Sequence, residues 1–535
     1  MFYYKLVFAC AYLPLAILFY QLAGKKLRWI VLLLASLGFY ASFSVSRLIY
    51  PFGAAAIAYF TGMCLDALLK KQDAQLSSVT GEKDEVRAKK NEIRGIYTKK
   101  LRAVLALGIV VLLLIILNNK YTDFAIENVN AVLRMIGVDR QFSLRNSILP
   151  LGISFYTLQA IGYLVDIYWR KIPAQKNPFK LLLFIMFFPT ITEGPITPYS
   201  SIYKSLYEGE PIDPDNVMAG YFRLGWGTMK KLVIADRLYP VVCWLYYKPN
   251  EICGLQVIMA AVLFTVMEYM DFSGCIDMAL GIGQIFGLKL PENFRQPFLA
   301  KNASEFWRRW HISLGVWFKT YIFYPMSMST LARKWGKTAK GRFSANTIKA
   351  VSSAIALLPV WLCNGLWHGP KWTYIFYGVF YFAVIMLEII LEPGFDRVLA
   401  ALKLEKESRG VTVFRVLKTW IVIFTGELFF EAASLSDGFK LLHDMFKNFR
   451  ISILWDGSML EWGMDAADWI IVIAFLIIVG IVNMLREKGT DVCQKILSGP
   501  AAIRWGLGVA LIVSILILGL YGPGFLEVNT IYAGF

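Results

Sequence analysis

Charge is scarce in this chain. Asp, Glu, Lys and Arg make up 17% of its 535 residues, against 57% hydrophobic residues. That balance excludes an ordinary soluble domain and points to an all-α, polytopic membrane protein. The seven cysteines (Cys10, Cys64, Cys243, Cys253, Cys275, Cys363, Cys493) are scattered, mostly inside apolar runs. With no Cys-x-x-Cys pair they read as buried free thiols. No His/Cys/Asp set has zinc spacing, so no metal site is expected. A Gly-rich phosphate loop is missing, and Met270-Asp-Phe-Ser-Gly274 lacks the spacing of a serine-hydrolase elbow. There is no internal repeat, low-complexity tract or Pro/Ser-rich linker, so one membrane domain over 1–535 is the simplest reading. Histidine is the scarcest informative residue, with three in the whole chain.

What is abundant is apolar sequence. A transmembrane helix needs roughly 20 apolar residues. Candidate runs are Leu6–Leu22, Trp29–Phe43, Leu48–Leu69, Ala103–Leu117, Ile148–Tyr168, Leu181–Ile191, Leu255–Met270, Ala350–Leu362, Trp372–Leu391, Val411–Phe430, Trp469–Leu485 and Ile503–Leu520. Several are short for a span, so about ten to twelve helices near or across the bilayer are expected by the length rule. The start, Met-Phe-Tyr-Tyr-Lys, lacks the usual small-residue cleavage site, and the first run reads as a retained helix.

The net charge of +17 gathers between apolar runs, where the positive-inside rule explains it better than nucleic acid does. Lys70–Arg102 holds ten Lys/Arg and reads as a cytoplasmic loop. Arg333–Lys349 carries six basic residues and no acid, and reads the same way. Three spans precede the first basic stretch, which puts the N-terminus outside; both termini are expected there.

Between about Leu149 and Pro370 the apolar runs are interrupted by Gly and Pro, among them Pro150, Gly152, Pro189, Gly194, Gly274 and Pro291. Irregular backbone at membrane depth is tolerated only inside protein or beside a water-filled cavity. Residues 148–392 are therefore expected to form the core around such a cavity. Residues 1–120 would be outer helices and residues 411–535 C-terminal helices.

Four polar segments stand out in this core. Asp271 and Asp277 lie in an apolar stretch, where a charge at a helix centre costs about 2.5–3.5 kcal/mol. They read either as structural hydrogen-bonding groups or as part of a polar site. Phe187-Phe-Pro-Thr-Ile-Thr-Glu-Gly-Pro-Ile196 is a broken helix with Glu193 at the break, either a membrane-surface turn or a cavity lining. In Glu305-Phe-Trp-Arg-Arg-Trp-His-Ile-Ser313, Trp307 and His311 are four apart and expected on one helix face, with Trp310 on another. Trp and Arg also anchor helices at the interface. In Asn364-Gly-Leu-Trp-His-Gly-Pro370, His368 ends a helix with Trp367 adjacent, and reads as a cavity or a core histidine. The third histidine, His443, lies in a mixed-charge stretch with no chemistry around it.

An ionisable residue inside a membrane domain is a functional candidate by default. A buried histidine among Trp, Asn, Ser and Arg suits moving an activated acyl group to a hydroxyl. The base removes the hydroxyl proton and nearby donors stabilise the oxyanion. The expected cavity is lined by Asp271, His311, Asn364 and His368.

At this point the residues resemble a known family. Leu13-Pro-Leu15 with Leu32-Leu-Leu-Ala-Ser-Leu-Gly-Phe-Tyr40, Leu149-Pro-Leu-Gly-Ile-Ser-Phe-Tyr-Thr-Leu-Gln159, Phe188-Pro-Thr-Ile-Thr-Glu-Gly-Pro195, Lys230-Lys-Leu-Val-Ile-Ala-Asp236, Asp271-Phe-Ser-Gly274, Pro291-Glu-Asn-Phe294, the two histidine segments and Ile531-Tyr-Ala-Gly-Phe535 follow in family order. Together they resemble the membrane-bound O-acyltransferases, in the bacterial branch of alginate O-acetyltransferase and the teichoic-acid D-alanyl transferase. The resemblance implies His368 as the catalytic residue and His311 as the second functional position. It implies a ring of helices around a funnel or tunnel. Asp271, Ser273, Trp307, Trp310, Asn364, Trp367, Glu193 and Gln159 would line the substrate path. Two departures are visible. Glu431 in Phe429-Phe-Glu-Ala432 stands where the branch commonly has Arg, and Thr192-Glu193 stands where small residues are usual.

The implied activity is O-acylation, most simply acetylation, of a cell-envelope or exported polysaccharide by a multi-pass protein of the bacterial cytoplasmic membrane. The donor would be acetyl-CoA or an acyl-carrier thioester, with no bound cofactor. An exported or membrane-anchored esterase-like partner would complete transfer; membrane lipid is the other contact and nucleic acid is not one. D-alanyl transfer to teichoic acid from a carrier protein is the nearest alternative. A transporter or flippase of a lipid-linked sugar is the alternative of another class, since broken helices with midplane polar residues fit that too.

Overall fold

A computed structural model of the chain describes residues 2–145, 148–247, 251–523, 525, 528 and 530. The aromatic C-terminal segment Ile531–Phe535 lies outside them. The described residues are helical, with no strand among them. Seven helices are long and apolar enough to cross a membrane: Ser46–Ser77, Lys83–Met135, Leu255–Ile285, Ala345–His368, Trp372–Ala401, Ala466–Glu487 and Ala501–Leu518. The protein is a multi-pass membrane protein.

Other apolar runs become different things. Leu181–Ile191 is split into helices Pro178–Met186 and Phe188–Ile191. Pro189, lacking an N–H, fits only the first turn of the second piece. The helix Ile153–Tyr168 is buried at every residue from Ile153 to Ile167; it is apolar all round because protein surrounds it. The basic stretch Lys70–Arg102, expected as a loop, is instead mostly helix. Ile49–Ser77 and Lys83–Ile116 run through it with only a short turn between. Its Lys, Arg, Ala, Glu and Gln are good helix formers, so both helices continue past their apolar segments.

The described residues divide into two compact units, those within 1–217 with 283–290, and those within 218–282 with 291–530. In the first, Ile153–Tyr168 packs against Ile49–Ser77 and Lys83–Ile116. Tyr3, Phe8, Phe39 and Phe188 form an aromatic cluster there, with Tyr3 stacked on Phe39 at 5.2 Å.

The second unit is built on Leu255–Ile285. Its central window is 61% buried, against 6% for Ala501–Leu518. The former is therefore the inner helix, and the latter presents most of its apolar surface outward. Ala345–His368 and Trp372–Ala401 form a helical hairpin joined by Gly369–Lys371. Glycines set their crossing. A Cβ on Gly365 would lie 2.4 Å from the Tyr374 carbonyl oxygen, and one on Gly378 2.3 Å from that of Trp361. Small residues allow such backbone approach without a hydrophobic driving force from lipid. Gly365→Ala should therefore force the hairpin apart and lower the thermal midpoint. Gly394→Ala, with no atom within 4 Å of its Cβ site, should leave the midpoint unchanged or raise it slightly. A thermal-shift assay on purified protein would compare them, and equal midpoints would contradict this packing.

Candidate active site

His368 is the last residue of the hairpin's first helix, and Pro370 prevents the helix from continuing. It is 3% exposed. Aromatic rings enclose it: Trp367 at 5.1 Å, Phe430 at 5.1 Å, Tyr377 at 5.8 Å and Tyr374 at 6.2 Å between centroids. Phe430 arrives from helix Arg409–Glu431, and the two tyrosines from the hairpin's second helix. Three helices thus converge on one imidazole.

His311 is placed differently from expectation. The helix carrying Trp307 ends at Arg309, and the next begins at Ile312. His311 sits between them in the left-handed region, with φ 47° and ψ 50°. Trp307 and His311 therefore do not share a continuous helix face. Such a conformation costs energy for a residue with a Cβ and persists only where neighbours enforce it. Asn293 does the enforcing. Its side-chain oxygen accepts the Ser313 N–H at 2.9 Å and lies 3.3 Å from His311 Nδ1. Its carbonyl accepts the Ile312 N–H at 2.9 Å. Next to it, the Arg295 N–H donates to the Arg309 carbonyl at 2.9 Å.

His311 and His368 pack on one shared ring. Trp367 lies edge-on to both imidazoles, 5.4 Å from His311 and 5.1 Å from His368. Phe272, next to Asp271, lies edge-on to His311 on another side at 4.8 Å. One indole thus contacts two histidines that are far apart in sequence. Asn364, one turn before His368, is 4% exposed, and its Nδ2 has no hydrogen-bond acceptor among the described residues. Trp307 packs edge-on against Tyr381 at 4.8 Å and Trp361 at 5.1 Å. Its indole Nε1 likewise has no partner among the described residues. Trp310 is a packing residue, stacked on Phe306 at 5.5 Å and edge-on to Phe294 at 5.1 Å.

The carboxylates of the inner helix divide. Asp271 and Asp277 are six residues apart and so point to different faces. Asp271 bonds Lys231, which also holds Asp236, each at 2.7 Å. Asp277 bonds Lys230 at 2.6 Å and Arg223 at 3.0 Å. Lys230 and Lys231 sit side by side in a π-helical turn, Lys230–Ala235. The extra residue of such a turn places consecutive side chains where a regular helix would not. Both aspartates thus take the ion-paired structural role. Ser273 accepts from Lys230 at 2.9 Å and, with Asp277, lines a small, partly open cavity. That cavity does not include Asp271, His311, Asn364 or His368, which had been expected to line one together.

Gln159 and Glu193 belong to the other unit, where both are buried. Gln159 lies on Ile153–Tyr168, and Glu193 follows the short helix Phe188–Ile191. Glu431 is exposed at the end of its helix, one residue after the Phe430 that packs on His368. The charge reversal thus stands at the rim of this aromatic cluster. Among the described residues no group of three or more His, Cys, Asp or Glu is placed to hold a metal.

The family model of the membrane-bound O-acyltransferases matches residues 173–339. Residues 173–339 of this chain thus carry the sequence pattern of that family. It is 28% identical to the probable alginate O-acetylase of Pseudomonas syringae pv. tomato, over 91% of this chain and 83% of that protein. It is 30% identical to the peptidoglycan O-acetyltransferase of Helicobacter pylori, over 61% of each chain. It is 31% identical to the teichoic acid D-alanyltransferase of Bacillus subtilis, over 45% of this chain and 59% of that one. The protein is a membrane O-acyltransferase. His311 falls inside the matched region and His368 beyond it.

Other residues of this acyltransferase were not singled out from the sequence. Asn293 sits in Pro291-Glu-Asn-Phe294, but nothing in that string says which side chain holds the turn. Glu268 and Glu427 carry the same signal that drew attention to Asp271, a carboxylate within an apolar run. Both are buried near the aromatic cluster.

Proposed function

We propose that this protein moves an acyl group, most simply acetyl, from a cytoplasmic thioester across the membrane for O-acylation of an exported or cell-envelope polysaccharide. The observation that carries the proposal is the contact of His311 and His368 with one and the same indole, Trp367, in a site walled by aromatic rings. In the reaction, His368 accepts the proton of the acceptor hydroxyl while its oxygen attacks the thioester carbonyl. The carbon–sulfur bond then breaks and the thiolate leaves with that proton, which restores neutral His368. The unpartnered amide of Asn364 is a suitable donor to the oxyanion. His311 orients substrate or relays a proton.

The extent of the relatives favours acetyl over D-alanyl. The alginate O-acetylase match runs over 91% of the chain and the D-alanyltransferase match over 45%. Acetyl-CoA or an acyl-carrier thioester is the proposed donor, and an exported or membrane-anchored esterase-like protein the proposed partner. A bacterial cytoplasmic membrane is the proposed location. The test is mass spectrometry of envelope polysaccharide from cells with and without the protein. Ester-linked acetyl is expected to disappear with the protein. Unchanged acetyl, or loss of the polymer itself, would contradict the reading, and the latter would favour a transporter.

A further inference from the structure

Two carboxyl groups meet in the interior, one tyrosine away from His368. Glu268, on Leu255–Ile285, and Glu427, on Arg409–Glu431, are in side-chain hydrogen-bonding contact. They are 2% and 1% exposed. The Oε2 atom of each has no donor among the described residues. Glu427 Oε1 accepts from the Tyr377 hydroxyl at 2.7 Å.

Carboxylate oxygens only accept, so two carboxyl groups can bond only when one keeps a proton. Two ionised carboxylates in contact inside a buried site would also repel strongly. The charged groups acting most strongly on the pair are themselves acids, Glu431 and Asp271. Around it stand the hydroxyls of Tyr246, Tyr377 and Tyr381. The protonated member of the pair donates to the ionised one, and so does Tyr377, so one negative charge persists wherever such donors hold it. That charge lies one tyrosine from the proposed base: the Tyr377 ring is edge-on to His368 at 5.8 Å. Phe430, three residues after Glu427 on the same helix, also packs edge-on to His368, at 5.1 Å.

We propose that Glu268 and Glu427 share one proton, and that the single negative charge of the pair, held by Tyr377, supports His368 when it takes up the acceptor's proton. This rests on the acyl-transfer reading above. Glu268 and Glu427 are positioning residues: they touch neither substrate nor the reacting atoms. The pair keeps its proton throughout, while the hydroxyl proton goes to His368 and then to the thiolate.

The experiment has two arms on purified full-length protein. In the first, the infrared spectra of Glu268→Gln and Glu427→Gln are subtracted from that of the wild type at neutral pH. Each difference should show loss of one protonated-carboxyl band, since an amide can then donate to the remaining carboxylate. Adding the second substitution should remove no further such band. In the second arm, acyl transfer by the double variant is measured against pH at saturating substrate. Without the charge the imidazolium is less favoured, so the acidic limb should move to lower pH by about one unit, and kcat should fall about tenfold with KM unchanged. A group that only packs would not move the limb. Absence of the band loss in both single variants overturns the proposal, whether or not the protein transfers acyl groups. A double variant with wild-type kcat and pH profile also overturns it, and leaves the acyl-transfer reading standing if His368→Ala remains inactive.

Discussion

Replacing His368 with alanine is expected to lower acyl transfer by about 10²–10⁴-fold, the usual cost of removing a positioned general base. The protein should still fold and insert. The imidazole ends its helix, and removing it leaves the glycine crossing at Gly365 and Gly378 untouched. The surrounding rings also contact one another, as Tyr374 and Phe430 do at 4.7 Å. His311→Ala should reduce transfer by less, because its proposed part is orientation or relay. Trp367→Ala is a poor substitute for either, since it removes the ring that touches both histidines and can cost stability directly. The comparison must be acyl incorporation per folded, membrane-inserted protein. Near-wild-type transfer by His368→Ala on that basis would refute the mechanism and leave the likeness to the family intact.

The second large effect is expected on stability. Lys231 is fully buried and lies between Asp236 and Asp271, 2.7 Å from each. It also donates to the carbonyl of Val528 at 3.2 Å. Lys231→Met would remove the cation and leave two buried carboxylates close together. Breaking a buried ion pair from one side costs about 3–5 kcal/mol, because the remaining charge stays desolvated. The variant should give less folded protein in membranes and a clearly lower thermal midpoint in detergent. Adding Asp236→Asn and Asp271→Asn should recover much of the loss, since removing all the charges together is far less costly than removing one. If Lys231→Met melted with the wild type, the cluster would not have the structural role given to it here.

Much of the site was legible from composition and local pattern. Few charges and long apolar runs require helices in a membrane, because no other open backbone arrangement satisfies its hydrogen bonds in lipid. An ionisable or strongly polar residue in such surroundings is costly, so His311, His368, Asp271 and Asn364 were singled out by where they occur. Pro370 after His368 and Pro189 within Leu181–Ile191 marked real helix boundaries.

The same local reading erred wherever the outcome depended on a distant partner. Trp307 and His311 have helical spacing, but the hydrogen bonds of Asn293 hold a left-handed residue at that point instead. Lys70–Arg102 is polar enough for a loop and yet helical, since the residues that keep it out of lipid are also good helix formers.

The sequence by itself determined the class of this protein: an all-helical membrane acyltransferase with two histidines as its chemical candidates. Those properties follow from side-chain polarity and period, which act over a few residues. Only the tertiary structure decided which polar groups meet. It paired Asp271 with Lys231, set Trp367 against both His311 and His368, and brought Glu268 against Glu427. Each pairing joins segments far apart in the chain. The physical reason is that a buried charge or polar group must be satisfied by whatever the packed helices bring to it, and no local pattern records that neighbour.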